Sequence, residues 1–156
     1  MRFRYKGLPV EHFRPLFGLS EAHLAARGVS SVIADAKPGF PCRVTLEDAE
    51  PGERVLLLSH MHQPASSPYR SSGPIFVREG AEQTFDSSDR VPPVLRGRLL
   101  SLRAYDGTGM MVDADIVEGN EVEGLLVRLF ARDDVTTVHI HNARRGCYAC
   151  AVERAG

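Results

Sequence analysis

Two His-x-His pairs, His60/His62 and His139/His141, and three cysteines, Cys42, Cys147 and Cys150, are the residues whose types and spacing could do chemistry. On a β-strand, residues i and i+2 project from the same face. Each histidine pair therefore presents two imidazoles to one side, which is one way a sheet offers ligands to a metal ion. His60, His62, His139 and His141 form that candidate set. The default role for these histidines is to hydrogen-bond or to touch a ligand, with no metal. Asp113 and Asp115 form an acidic same-face pair that a solvent-facing strand explains better.

Cys147-Tyr148-Ala149-Cys150 has Cys-x-x-Cys spacing. Redox chemistry of the thioredoxin type needs those cysteines at a helix start, where the helix dipole assists the thiolate. Only "AVERAG" follows here, and on a strand positions i and i+3 point to opposite faces. Cys147 is the candidate nucleophile, because Arg144 and Arg145 precede it and would favour a thiolate if they turn inward. Cys42 lies beside a rigid turn, between Pro41 and Arg43.

Charge is unevenly spread. Residues 54–78, 135–152 and 36–46 contain no Asp or Glu, yet hold His60, His62, Arg70, His139, His141, Arg144, Arg145 and Arg43. Acids avoid buried strands in general, which explains part of this. If the three stretches converge, they create a local positive potential suited to a small anion or carboxylate, with Arg making bidentate contacts. The loop "QPASSPYRSSGP" adds hydroxyls, Tyr69 and Arg70 on a segment too long for a simple turn.

The elements that must position these groups follow from periodicity and turn chemistry. Phe3 and Tyr5 alternate with basic residues in a first strand, and helical pieces are expected over 9–17 and 20–27, the latter capped by Ser20 and stopped at Gly28. Strands are expected over 29–36, 42–46, 54–61, 74–78, 99–106 and 110–119. A short helix over 92–98 would be introduced by Ser87, Ser88 or Asp89. Val122, Leu125, Leu126, Leu129 and Phe130 have helical spacing over 121–131, with Asn120 as the cap. Strands 135–142 and 147–153 close the chain, with Ala143 to Gly146 between them. In that register His139, His141, Tyr148 and Cys150 share one face, and Asn142 and Cys147 the other. Adjacent strand pairs with few intervening helices predict a mainly antiparallel α+β domain with short helices packed on it.

Composition narrows the function class. With 156 residues, 43% hydrophobic and 25% charged, the chain reads as one domain, 1–156, able to form a core without staples. Nineteen basic and twenty acidic side chains leave a net charge of -1, which argues against nucleic acid as a partner. The first segment has no signal-peptide core and no stretch is apolar enough to span a bilayer, so the expectation is a cytoplasmic protein with no membrane partner.

"GFPCRVTLEDAEPGERVLLL", "HQPASSPYRSSGPIFVREG" and "VHIHNARRGCYA" resemble the bacterial family catalogued as domain of unknown function 1203. The likeness runs over nearly the whole chain and is strongest at Pro41-Cys42-Arg43, Gln63-Pro64, Ser67-Pro68-Tyr69 and His139 through Cys147. The resemblance implies no activity or cofactor. It moves weight from His60 and Cys150 towards His62, His141, Asn142 and Cys147. The expected function is binding of a small polar or anionic molecule, with Arg43 and Arg70 neutralising charge and Ser67 and Tyr69 donating hydrogen bonds. His62, His141 and Asn142 would fix orientation, and Cys147 is available for chemistry. The rivals are a metal-dependent enzyme built on the His-x-His pairs and a protein-interaction module without a small-molecule site.

Overall fold

Phe3 and Tyr5 turn inward from β1 (Arg2–Lys6), the strand that the opening alternation predicts. The structure, a computed structural model, describes residues 1–88 and 90–156. Asp89, one of the expected helix-introducing residues, lies outside the described residues. After two 3-10 turns (Val10–His12 and Arg14–Leu16), the Ser20 hydroxyl accepts a hydrogen bond from His23 N and caps α1 (Glu21–Ala25).

The strands β2 (Ser30–Ile33), β3 (Arg54–Gln63) and β4 (Ser71–Arg78) form a three-stranded antiparallel sheet. A larger sheet has six strands in the order β5-β1-β9-β8-β6-β7, every neighbouring pair antiparallel. Its other members are β5 (Asp86–Ser87), β6 (Leu99–Tyr105), β7 (Met111–Glu118), β8 (Thr137–Asn142) and β9 (Tyr148–Ala155). The antiparallel α+β expectation holds.

Strand alternation gives the large sheet two unlike faces. Leu100, Leu102 and Ala104 of β6 and Val138 and Ile140 of β8 meet Leu126, Leu129 and Phe130 of α2 (Val122–Phe130) in the main core. Burying each such large apolar side chain contributes roughly 1.5–3 kcal/mol, which offsets the cost of ordering a helix this short. Arg154 closes the end of α2: its guanidinium donates to Phe130 O at 2.7 Å and Val135 O at 2.5 Å, over the Phe130 ring. The opposite face carries Arg103, Tyr105, His139, His141 and Tyr148, and the β3–β4 hairpin covers part of it.

Two local expectations are corrected. Residues 42–46 are a tight turn and not a strand: Leu46 N bonds Cys42 O at 3.0 Å, Leu46 has φ 53°, and only isolated bridges join Pro41 to Asp48 and Cys42 to Phe76. Asn120 does not cap α2, because a 3-10 turn over Gly119–Glu121 leads into it with no side-chain cap. That turn is dictated by close approach. A Cβ on Gly119 would stand 1.7 Å from Leu95 O, and Gly119 N bonds Arg98 O at 2.7 Å.

Gly119→Ala is therefore expected to lower stability to urea by at least ~2 kcal/mol. Gly124→Ala, on the exposed side of α2 with open space around it, should raise stability by ~0.5–1 kcal/mol. Equal effects of the two substitutions would contradict the packing described.

Candidate functional site

The connection between β8 and β9 is what brings Asn142 and Cys147 together. Asn142 N bonds Cys147 O at 2.9 Å and Gly146 N bonds Asn142 O at 2.7 Å, with Gly146 at φ +80° where a side chain would be strained. Arg43, from the turn after Pro41, reaches this point. It is 2% exposed, and its Nε donates to Tyr148 O at 2.7 Å, its Nη1 to Pro41 O at 2.6 Å and its Nη2 to Cys147 Sγ at 3.0 Å. Asn142 Nδ2 approaches the same sulfur at 3.6 Å. Burial pulls the Arg43 guanidinium below its ordinary range, and the sulfur of Cys147 is the main group acting against that pull.

Among the described residues, no carboxylate lies within ion-pair distance of Arg43. Buried charges are normally paired, so this one marks the site. Arg43, Asn142 and Cys147 line a cleft of about 450 Å³ with Phe40, Pro41 and Phe76 as apolar wall. Arg98 also lines it, held by Asp48 at 2.7 and 3.0 Å. Arg144 and Arg145 stand exposed at the rim, with no hydrogen bond or ion pair to a described residue, and Glu118 is the one acid in the lining. The Oδ1 of Asn142 is buried without a partner. All three acid-free stretches contribute to this lining.

A second polar cluster lies across the strands from the first. His62 on β3 stands 4.9 Å from His141 and 6.3 Å from His139, ring centre to ring centre, and stacks on Tyr148 at 5.5 Å. Tyr105 adjoins His139 at 4.9 Å, with burial raising its phenol and Gln63 and Arg103 as polar neighbours. The Nδ1 of His141 donates to Gly146 O at 2.9 Å, whereas both nitrogens of His62, Nδ1 of His139 and Nε2 of His141 are buried without a protein partner. Burial pushes His139 down to about 3 and His141 to about 4, and lowers His62 and His60 as well. His60 sits at the cluster's edge, 6.1 Å from Tyr148. Among the described residues, no set of three His, Cys, Asp or Glu side chains is arranged to hold a metal ion.

The expected ligand set is thus divided. Arg43, Asn142 and Cys147 share the cleft, while His62 and His141 belong to the imidazole layer between the sheets. Ser67, Tyr69 and Arg70 are in neither place. Ser67 Oγ donates to Gly109 O at 2.8 Å and accepts from Tyr69 N, Tyr69 packs its ring on Tyr105, and Arg70 donates to Pro64 O. These contacts fasten the loop to the β6–β7 turn. Cys150 is not on the His139 face: a bulge shifts the β8–β9 register so that Ile140, not His139, opposes it, and it enters the α2 core. Burial there raises its thiol to about 12.

Sequence reasoning missed Arg98, whose role depends on Asp48 fifty positions away. It also missed Arg103 and Tyr105, although Leu100, Leu102 and Ala104 alternate with them and already assign them to the opposite face.

These features describe an α+β protein with a cationic, cysteine-bearing cleft at the end of its main sheet. The family described as protein of unknown function, DUF1203, matches residues 39–154, and the chain belongs to that family. No curated protein and no solved structure matches the chain.

The imidazole layer makes stability depend on pH. His139 and His141 stay neutral in the folded protein to about pH 3 and 4, whereas unfolded histidines titrate near 6.5. Above that value the contribution is complete; below it the unfolded chain takes up protons that the folded one does not. Stability should therefore fall as pH drops from 6.5 towards 4, by about 2 kcal/mol for each of the two at pH 5. Urea unfolding at pH 7 and pH 5 measures this, and His139→Phe should remove about 2 kcal/mol of the difference. A flat profile for the unmodified protein would contradict the buried layer.

Proposed function

We propose that this protein binds a small anionic molecule, of the carboxylate type, in the cleft between Arg43, Asn142 and Cys147. The observation that carries the reading is the buried guanidinium of Arg43, which has no carboxylate partner among the described residues and faces a cleft with two unpaired arginines at its rim. Arg144 and Arg145 attract and hold the anionic group. Asn142 lines the cleft beside the sulfur, which its Nδ2 approaches at 3.6 Å. Phe40, Pro41 and Phe76 cover its apolar part. In this reading Ser67, Tyr69 and Arg70 hold the fold, and His62 and His141 support the strand ends that carry Asn142 and Cys147.

A thermal-shift screen of acetate, oxalate, citrate and inorganic phosphate against size-matched neutral alcohols and amides tests the proposal. Anions should raise the melting temperature selectively, and less so at high salt. Replacing Arg144 and Arg145 together by Gln should weaken the best anion about tenfold, ~1.4 kcal/mol, whereas Arg70→Ala should leave it unchanged. Stabilisation by the neutral compounds alone, or an anion effect unaltered in the double variant, would remove the reading.

A further inference from the structure

The sulfur of Cys147 is surrounded by donors. Arg43 Nη2 lies 3.0 Å away, locked by its two other bonds, and Asn142 Nδ2 lies 3.6 Å away. Among the described residues, neither a carboxylate nor an imidazole is hydrogen-bonded to it: the Nδ1 of His141 is taken by Gly146 O, and its ring is turned to His62. Cys147 is partly exposed and lines the cleft, whereas Cys42 and Cys150 are fully buried and line no part of it. Beyond its own hydrogen bonds, this cysteine lines a cleft of about 450 Å³ together with the exposed Arg144 and Arg145, which have no hydrogen bond or ion pair to a described residue. Arg43 lines it too, is 2% exposed and has no carboxylate within ion-pair distance among the described residues.

Resting on the anion-binding reading, we propose that Cys147 is a nucleophile that bonds covalently to an electrophilic carbon of the bound carboxylate. Arg43 and Asn142 offset negative charge on sulfur before attack. The S–C bond forms with the sulfur electron pair as the carbon's leaving group departs with its own, and the thiol proton goes to solvent. With no acid beside the sulfur to protonate a poor leaving group, the chemistry is limited to groups that leave as stable anions. Amide hydrolysis of the Cys–His kind, which needs an imidazole at the sulfur, is outside what this arrangement does.

The full-length protein is treated in parallel with iodoacetate, a carboxylate-bearing electrophile, and iodoacetamide, its neutral isostere, and each cysteine is followed by peptide mass mapping. With iodoacetate the step is displacement of iodide by sulfur, leaving S-carboxymethyl cysteine. Cys147 should react at least about tenfold faster than Cys42 and Cys150, and faster than free cysteine. Its iodoacetate-to-iodoacetamide rate ratio should exceed that of free cysteine by about tenfold. Replacing the exposed Arg144 and Arg145 by Gln should return the ratio to the free-cysteine value while Cys147 still reacts fast with iodoacetamide. Arg43→Lys should keep more of that iodoacetamide rate than Arg43→Gln, with Asn142→Ala as the alternative should Arg43→Gln not fold. Cys147→Ser should abolish the fast adduct. A Cys147 no faster than free cysteine towards both reagents overturns the nucleophile, and anion stabilisation in the thermal-shift screen would then show that the binding reading survives alone. Fast reaction with a free-cysteine ratio overturns the anionic class of electrophile.

Discussion

The guanidinium of Arg43 is the constraint on which the site depends. It takes acceptors from separate stretches of chain, the carbonyls of Pro41 and Tyr148 and the sulfur of Cys147, and is 2% exposed while doing so. A charge in such a place is tolerated only while its acceptors stay put, since each lost hydrogen bond leaves an uncompensated donor in low dielectric. The turn at 42–46 and the β8–β9 connection are consequently held against each other. The planar fork of Arg suits this task; the single ammonium of Lys cannot reach three divergent acceptors with the same geometry. The cleft between these two segments is thus shaped by the fold itself, the preorganisation on which the proposed binding relies.

Strand alternation then divides the neighbouring chemistry in two. Asn142 and Cys147 face the cleft, whereas His141 and Tyr148, one residue away on each strand, point into the layer between the sheets. The β-bulge between Ile140 and His141, opposite Ala149, sends Cys150 to the helix side, so cysteines three positions apart share no environment. The neutral imidazoles and Tyr148 form a packed layer under the end of the hairpin, where His62 arrives from the second sheet. Their work is to fix the strand ends, and His141 does so directly through Gly146 O.

How far the sequence was legible follows from the range of the forces involved. Local patterns announced the strands and α2, because alternation and helical spacing are read within a few residues: Phe3 and Tyr5 are buried, and the five α2 positions with helical spacing face the core while Val127 stays exposed. The turn at 42–46 was read as a strand because its apolar residues, Cys42, Val44 and Leu46, alternate as in a strand; they are buried, but by a chain that folds back on itself. The acid-free stretches do meet, which charge pattern alone suggested. Which of their side chains meet was not legible. His62 and Arg70 depend on where the β3–β4 hairpin lies over the large sheet, and Ser67 is claimed by Gly109, whose lack of a side chain lets Ala65 sit against it. Such approaches between segments forty residues apart leave no local signature.

The balance of charge supplies the remaining step. Elsewhere on the surface several arginines are answered by acids: Arg4 by Asp86, Arg78 by Glu53, Arg128 by Asp115 and Arg132 by Asp134. Exposed pairs of this kind add little stability, but they leave no net field. In the cleft only Arg98 is answered, by Asp48, while Arg43, Arg144 and Arg145 have no such partner among the described residues. The Arg43 guanidinium is also desolvated, a cost that its hydrogen bonds to Tyr148 O, Pro41 O and Cys147 Sγ offset within the fold. A lining with three arginines that have no carboxylate partner among the described residues, against the single acid Glu118, carries a positive potential, and that potential is the electrostatic basis of the binding proposed for the cleft.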